Sequence, residues 1–202
     1  MRRAELESRD FDLFLEVARD ADVGYLSLVT PGGWPRSVAL NFAAVQETIF
    51  FHGALAGEKC DAIGNGVKAG FTMVKPYSYI PSHFTAPDHA CPATHFFKSV
   101  EIKGRCEPVT DPAEKARGLQ ALMDKYQPEG RFKPLDPADP AYRKAIERVG
   151  VFRVVPHAWT AKRKFGQNEP KRVREMIITG LRERGGPGDE ATILEMEKDL
   201  TS

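Results

Sequence analysis

The stretch Ile49–Ala62, IFFHGALAGEKCDA, constrains the fold more than any other part of the chain. The apolar run at its start predicts a buried strand that ends at His52-Gly53. A loop of small residues follows, and Glu58-Lys59 predict the start of a short helix. Free N–H groups at a helix start attract anions, and a lysine adds a full positive charge. The stretch therefore indicates a phosphate seat, although a tight turn with a solvated lysine would have the same sequence.

Several well-known functional motifs do not occur in the sequence. The GxxxxGKS/T spacing of a Walker A loop is missing, and so is the GxGxxG of a dinucleotide fold. No GxSxG elbow supports hydrolysis by a serine nucleophile. Any phosphate-binding site must therefore be of another kind.

The composition is that of an ordinary globular protein. Its 202 residues fit one domain or a domain with an extension, with 42% hydrophobic and 28% charged residues. A net charge of +1 gives no bulk attraction to nucleic acid or to a membrane surface, so neither is expected as a partner. Three widely spaced cysteines, Cys60, Cys91 and Cys106, predict reduced thiols and a cytoplasmic protein. No apolar stretch follows the arginines of MRRAELESRD, so no secretory signal is expected.

Strand patterns bounded by turn residues dominate the sequence up to Lys162. Six strands with short loops predict a small, mostly antiparallel barrel with helices around it. The most distinct helix has Asp111 as N-cap, Pro112 at its first position and Glu114 at the capping-box position. The predicted strands are Val23–Val29, Arg36–Val45, Ile49–His52, Val67–Val74, Phe96–Val109 and Gly150–Lys162. The predicted helices are residues 10–20, Glu58–Asn65, Asp111–Tyr126, Ala141–Arg148, Asn168–Arg184 and Asp189–Leu200.

Glycine and proline positions refine this outline. Gly104 predicts a bend in its strand, and Pro156 predicts an edge position or a bulge. The chain changes character at Gly166, after which helical segments carry charged outer faces. This change predicts a barrel domain over residues 1–165 and a C-terminal helical extension over residues 166–202. The extension is expected to pack on the barrel or on a second subunit.

The order of these segments resembles a known family. The segments that carry the resemblance are GYLSLVTPGGWPRSVALNFAAV, IFFHGALAGEK, FFKSVEIKGRCEPVTDPAEKARGLQALMDKY and AWTAK. Together they are similar to the flavin-nucleotide-binding, pyridoxamine 5'-phosphate oxidase-like split barrel, and within it to the branch of the nitroimidazole-resistance proteins. The resemblance covers about residues 8–165. It implies a six-stranded antiparallel split β-barrel and a homodimer with FMN between the subunits, although some relatives bind heme or a deazaflavin instead.

The same resemblance implies a set of cofactor-binding residues. The strand Arg36–Asn41 would lie along the flavin ring and ribityl chain, Lys59 would contact the phosphate, and His52 would lie beside the ring. Trp159 and Lys162 match a tryptophan and a basic position of the closing segment. The Arg- and Lys-rich phosphate cluster of the true oxidases is missing, which argues against pyridoxamine phosphate oxidation. The full candidate set is Arg36, Ser37, Val38, Ala39, Asn41, His52, Lys59, Lys98, Trp159 and Lys162.

The chemistry of a bound flavin assigns roles within this set. A phosphate dianion needs cations and hydrogen-bond donors, which Arg36, Ser37 and Lys59 can supply. A cation near the pyrimidine edge of the ring would stabilise the reduced flavin, and Lys98 and Lys162 are candidates. His52 is the candidate catalytic residue, as a hydrogen-bond or proton partner. The alternatives are solvated lysines and a structural histidine.

A metal site is the weaker hypothesis for the irregular segment Lys75–Thr94. His83, His89, Cys91 and His95 could offer imidazole and sulfur to zinc, but no paired CxxC or HxxxH anchors them. No metal is therefore predicted. The sequence favours an FMN-dependent oxidoreductase that acts on a small molecule. The alternatives are a flavin or heme carrier without turnover, and a barrel that serves only in assembly.

Overall fold

Eight β-strands and six α-helices make up residues 6–198, the part of the chain that the computed structural model describes. The strands are β1 (Glu7–Ser8), β2 (Gly24–Val29), β3 (Pro35–Leu40), β4 (Ala43–Val45), β5 (Thr48–Gly53), β6 (Val67–Ile80), β7 (Thr94–Pro108) and β8 (Gly150–Lys164). The helices are α1 (Phe11–Asp20), α2 (Glu58–Ile63), α3 (Pro112–Tyr126), α4 (Arg143–Arg148), α5 (Lys171–Arg184) and α6 (Asp189–Glu197). A short 3-10 helix lies at Ser82–Phe84.

The strands form one sheet in the order β3-β2-β6-β7-β8-β5-β4, and β1 pairs with β8 outside this path. The pairs β2–β3, β2–β6, β4–β5, β5–β8 and β1–β8 are antiparallel. The fold is therefore mainly β with an antiparallel sheet and helices, as the sequence predicts. None of the helices within residues 6–198 is long and apolar enough to cross a membrane.

The number of strands differs from the prediction of six, which is wrong. The predicted strand Arg36–Val45 is divided into β3 and β4, because the N–H of buried Phe42 donates to the hydroxyl of Tyr126 at 3.0 Å instead of to a strand neighbour. The two residues of β1 are too short to show an alternating pattern, and they are defined only by their pairing with Lys162 and Ala161. Both differences arise from contacts that are distant in the sequence.

Other boundaries shift by smaller amounts. Strand β6 continues to Ile80, so part of the segment expected to be irregular is extended. The last helix is predicted to end at Leu200, which lies outside the described residues. Asp111 caps α3 as expected, since its carboxylate accepts from the N–H of Glu114 at 2.9 Å. The Glu114 carboxylate forms an ion pair with Arg153, so it ties α3 to β8.

Pro156 does not lie on an edge strand, because β8 is flanked by β7 and β5. The ladder with β5 ends at Val154, two residues before the proline, so the missing N–H does not interrupt that ladder. Gly104 on β7 lies so close to this point that a Cβ there would collide with the carbonyl oxygen of Val155. A glycine is required there because the two backbones approach each other closely.

The chain divides into two compact units. One unit comprises residues 9–73 and 100–160 and contains α1 to α4. Within it, α3 packs on β5, and a Cβ at Gly118 would collide with the ring of buried Phe50. The close approach at Gly118 lets the helix cover the apolar cluster of Phe50, Val109 and Val151.

The other unit comprises residues 1–8, 74–99 and 161–202, of which 6–8, 74–99 and 161–198 are described. Its core includes Phe96 and Phe165 with apolar side chains of α5 and α6. These helices thus share a core with strand residues from the middle of the chain. The boundary predicted between residues 165 and 166 stays a prediction.

A buried polar network fixes α6 to β6 in this second unit. The Ser78 hydroxyl donates to Asp189 at 2.6 Å, and Thr192 donates to Ser78 at 2.9 Å. Arg184 contributes two further hydrogen bonds to the Asp189 carboxylate, and Gly186 donates its N–H to it at 2.8 Å. These donors lower the pKa of Asp189 from 3.8 to about 2, with the Arg184 hydrogen bond as the largest cause.

Replacing Asp189 by alanine is expected to destabilise the protein by about 3 kcal/mol, because Arg184, Ser78 and Gly186 lose a charged acceptor in a buried position. The measurement is urea unfolding near pH 7. Since folding lowers this pKa from 3.8 to about 2, the stabilisation is present above pH 4 and is lost as the pH falls towards 2. The exposed neighbour Glu190 provides a control, because Glu190→Ala should leave the free energy of unfolding nearly unchanged both at pH 7 and at a pH near 2. Equal stability of the Asp189→Ala variant and the parent at pH 7 would contradict the network.

Candidate functional site

A charged corner lies where strand β3 meets the start of helix α2. The Arg36 guanidinium forms an ion pair with the Glu58 carboxylate, and both side chains are about half exposed. Gly57, with a φ of 98°, is the N-cap of α2 and provides no side-chain hydrogen bond to the helix. The first N–H groups of α2 have no acceptor within the helix, as in any helix start. The corner thus offers the Arg36 cation and backbone donors beside the Glu58 carboxylate.

Lys59, the predicted phosphate ligand, folds back over the end of β5. Its Nζ lies 4.9 Å from the ring centre of Phe152 and 5.6 Å from that of Phe51. A Cβ on Gly53 would lie 2.5 Å from this Nζ, so the glycine makes room for the ammonium group. The Lys59 ammonium group therefore lies against two aromatic rings at the end of β5.

The three cysteines have no evident reactive role. Burial raises the pKa of the Cys106 thiol to about 12, against the opposing effect of the Lys59 charge, so this thiol stays protonated at neutral pH. Cys60 donates its thiol hydrogen to the carbonyl of Ala54 at 3.0 Å. Cys91 is exposed, and all three are free thiols.

His52 lies on the opposite face of β5 from Lys59. Neighbouring residues of a strand point to opposite faces, and Lys59 lies over Phe51. His52 therefore shares its face with buried Phe50, which packs against α3, and with its cross-strand partner Val151. Its side chain is exposed. A single copy of the chain does not bring His52 and Lys59 together.

Strand β3 carries the other predicted cofactor residues and is an edge strand of the sheet. Arg36 and Ser37 point to opposite faces of it. The Ser37 hydroxyl lies 3.4 Å from that of Ser27 on β2, whereas Arg36 is opposite Leu28 in the register. Ser37, Ala39 and Asn41 are exposed, and Val38 is half-buried.

Trp159 is held in place by contacts with Glu47 and Phe14. Its indole N–H donates to the Glu47 carboxylate at 2.9 Å, and its ring centre lies 5.0 Å from that of Phe14. These contacts orient the tryptophan without any cofactor. Its predicted role beside a flavin stays a prediction.

Two of the predicted cations, Lys98 and Lys162, belong to the other compact unit. Lys98 is 1% exposed, and its Nζ lies 3.0 Å from Glu195 of α6. The alternative of a solvated surface charge therefore does not hold for Lys98, because the side chain is buried. Lys162 is half-buried, with its Nζ 5.2 Å from the ring centre of Phe97.

The Glu58 carboxylate is the part of this corner whose role sequence reasoning missed. It stands next to Lys59 in the segment that predicts the phosphate seat, but its pairing with Arg36 joins residues far apart in the chain. Adjacent opposite charges are common on helix surfaces, so no local signal separates this carboxylate from a solvated one. The pairing matters because it lowers the positive charge available to an anion.

The histidines considered for a metal site have other contacts. The imidazole Nε2 of His95 lies 2.8 Å from the carbonyl oxygen of Tyr77. The His83 ring packs edge-on against Phe84. Across the part of the chain that the structure describes, no three His, Cys, Asp or Glu residues are grouped as a metal site would require.

Solved structures of other proteins share this fold. A proposed 5-nitroimidazole antibiotic resistance protein from Bacteroides thetaiotaomicron has a TM-score of 0.61 and 21% identity, covering 78% of this chain and 86% of its own. The flavocytochrome Anf3 from Azotobacter vinelandii has a TM-score of 0.67 and 21% identity, covering 81% and 72%. A FAD and heme binding protein from Mycobacterium smegmatis has a TM-score of 0.65 and 15% identity, covering 78% and 73%. At these identities the likeness establishes the fold alone.

Sequence comparison adds the family. A search of curated proteins gave no match. The family model described as pyridoxamine 5'-phosphate oxidase matches residues 12–163, which is more than half of the chain. The chain therefore belongs to the pyridoxamine 5'-phosphate oxidase family.

Proposed function

We propose that the chain binds FMN and acts as a flavin-dependent oxidoreductase on a small molecule, as a homodimer with the cofactor at the subunit interface. The observation that carries the proposal is the half-exposed Arg36 of the edge strand β3 beside the start of α2, with half-buried Lys59 in the first turn of that helix. The family matched by residues 12–163 supports the same reading.

The donor set of the corner fits an anionic phosphate. Arg36 can present two parallel N–H groups, and Lys59 adds a point charge nearby. Helix α2 has only six residues, so its dipole is weak and the side chains must supply most of the attraction. The Glu58 carboxylate opposes binding, because Arg36 must leave it to contact a phosphate.

The edge position of β3 suits the polar rim of the isoalloxazine ring. An edge strand leaves every second backbone N–H and C=O without a strand partner. Residues 37–39 could offer these groups to a flat ring, as backbone groups commonly do in cofactor sites. The backbone would fix the position of the ring, while Arg36 and Lys59 hold its phosphate.

A second copy of the chain accounts for exposed apolar surface. Tyr25 and Val29 point outward from β2 and are 44% and 57% exposed. Apolar side chains so exposed on a sheet face are typical of surfaces that associate.

A bound flavin would supply the redox chemistry, taking electrons from a reduced donor and passing them to an acceptor. His52 would hold or move a proton at its imidazole.

The runner-up is a protein that binds flavin or heme without turnover, which the flavocytochrome and the FAD and heme binding protein among the structural relatives make worth testing. The visible spectrum of the purified protein separates the cofactors, since oxidised flavin and heme absorb in different bands. We expect flavin bands and acceptor-dependent consumption of NAD(P)H. A protein that takes up no FMN would remove the proposal, and a flavin-loaded protein without turnover would leave only the carrier.

The charged corner can be tested by two opposite substitutions. Lys59→Ala should weaken FMN binding by about 1.5–3 kcal/mol if its ammonium contacts a phosphate oxygen. Glu58→Gln should tighten binding about threefold, because it removes a competing carboxylate. Dissociation constants from flavin fluorescence quenching measure both. Lys144→Ala, an exposed lysine on α4, is the matched control. Unchanged affinity in both corner variants would place the phosphate elsewhere.

The role of His52 is tested by His52→Ala. Because the side chain is exposed, we expect an unchanged thermal midpoint. Turnover should fall about 100-fold or more if the imidazole transfers a proton. Stopped-flow flavin reduction and oxidation, recorded across pH, measure the two half-reactions. Loss of the folded state, or full activity at every pH, would each rule out the catalytic role.

A further inference from the structure

A pocket of about 680 Å³ lies entirely within the compact unit that includes residues 74–99 and 161–198. Ligand-binding pockets typically have volumes of about 300–1000 Å³, so this one is large enough for a small organic molecule. Its lining comes mainly from the start of β7, the end of β8, helix α5 and the loops beside them.

The floor of the pocket is apolar and buried. Leu6, Phe96 and Ile177 line it and are 3%, 2% and 5% exposed. Val173 on α5 also lines the pocket and is half-buried. A ligand that covers these side chains would release water from apolar surface, which favours binding. The floor therefore suits an occupant with an apolar body.

Hydrogen bonds within two adjoining loops hold the walls of the pocket. Gly166, with a φ of 76°, accepts the Glu169 N–H at its carbonyl oxygen at 2.9 Å. The N–H groups of Thr85 and Ala86 both donate to the Ser82 carbonyl, at 3.0 Å and 2.8 Å. Because local turns fix these walls, a ligand would have little of the chain to order on binding.

Two lysines of β8 bring positive charge to the pocket. Lys162 and Lys164 both line it, and they lie on one face of the strand because they are two residues apart. Their Nζ atoms lie 5.2 Å and 5.5 Å from the ring centre of Phe97, so both ammonium groups are close to the same ring. The Thr94 hydroxyl orients Lys164 by accepting its hydrogen bond at 2.5 Å. Lys162 forms no ion pair within residues 6–198, so its charge is available to an anion.

The pocket lining contains one carboxylate against these two lysines. Glu169 is exposed and accepts a hydrogen bond from the Asn168 side-chain amide at 2.8 Å. Lys162 and Lys164 are half-buried, so water and salt screen their charges less than that of Glu169. Two lysines and one glutamate leave a surplus of one positive charge. The lining therefore suits a single carboxylate better than a phosphate dianion.

We propose that this pocket binds a small monocarboxylic acid with an apolar body, whose carboxylate contacts Lys162 while its apolar part covers Phe96 and Ile177. The lining includes no residue of the charged corner or of the exposed face of β2, so the proposal does not depend on flavin binding or on a second copy. Lys162 is a cofactor candidate by resemblance alone, and its charge is here assigned to the acid instead. The acid would be a substrate or an effector.

The test compares two probes that share a naphthalene ring and differ in charge, naphthoate and the neutral naphthamide. Binding to the full-length protein is measured by equilibrium dialysis, with and without saturating FMN. Naphthoate should bind about tenfold more tightly than naphthamide, because only the acid can pair with Lys162. Added salt should weaken the binding of naphthoate alone.

Cys91 reports directly on occupancy of the pocket. It is an exposed free thiol among the lining residues, whereas Cys60 is half-buried and Cys106 is buried. Alkylation of Cys91 by iodoacetamide is followed by mass spectrometry of its peptide. Saturating naphthoate should slow this alkylation severalfold, and saturating FMN should leave its rate unchanged.

Two variants separate the effect of charge from that of volume. Lys162→Gln should raise the Kd of naphthoate about tenfold and leave that of naphthamide unchanged. Val173→Phe should raise the Kd of both probes, because the larger side chain takes up space in the pocket. Lys171→Gln is the matched control, since Lys171 is an exposed lysine of α5 that does not line the pocket, and it should change neither Kd. Thermal midpoints check that each variant is folded, and Lys162→Gln with the protection of Cys91 decides the matter if Val173→Phe is not.

Equal affinity for the two probes, or a naphthoate affinity that Lys162→Gln leaves unchanged, would overturn the proposal. So would protection of Cys91 by FMN together with weaker FMN binding by Lys162→Gln, since the pocket would then belong to the cofactor site. A protein that binds neither probe and whose Cys91 does not react would also overturn it, because another surface would then cover the pocket. A protein that binds no FMN but shows the expected naphthoate pattern loses the proposed function and keeps this pocket.

Discussion

The hydrogen-bonding of β8 is the constraint on which the rest of the sheet depends. This strand pairs with β5 through residues 150–154, with β1 through residues 161–162, and lies next to β7. Buried backbone groups must find partners, so a proline in such a strand is tolerated only where a ladder is not interrupted. Pro156 interrupts no hydrogen bond to β5, because that ladder has already ended at Val154. Gly104 then allows β7 to approach the same point without a side chain in the way.

The charged corner has structural contacts with which the proposed phosphate binding would compete. The Arg36–Glu58 ion pair joins β3 to α2, and Lys59 covers the rings of Phe51 and Phe152. Both cations thus have partners within the chain, and an incoming phosphate has to compete with one of them. An exposed ion pair contributes little to stability, so exchanging Glu58 for a phosphate has a small energetic cost. The arrangement keeps Arg36 in position while allowing its carboxylate partner to be replaced by a phosphate.

The two faces of β3 carry different side chains. One face presents Arg36 near the start of α2, and the other presents Ser37 beside Ser27 of β2. The alternation of strand side chains makes this separation unavoidable, because neighbouring residues cannot share a face. The same rule sets His52 apart from Lys59 on β5. Any reaction that uses both residues therefore needs a substrate, a cofactor or a second copy that reaches both faces.

The sequence by itself determined the mainly β class, the approximate positions of the helices, the N-cap of α3, and the family resemblance. Local signals suffice for these, as the capping of α3 by Asp111 illustrates. Tertiary contacts alone decided the division of Arg36–Val45 into two strands. This division depends on the Tyr126 hydroxyl, which accepts the hydrogen bond from the Phe42 N–H. They also decided that Lys98 is buried against Glu195 and that Arg36 forms an ion pair with Glu58. The type and spacing of residues predict what a strand or helix can form, but the partner of a charge depends on segments that the fold brings together from far along the chain.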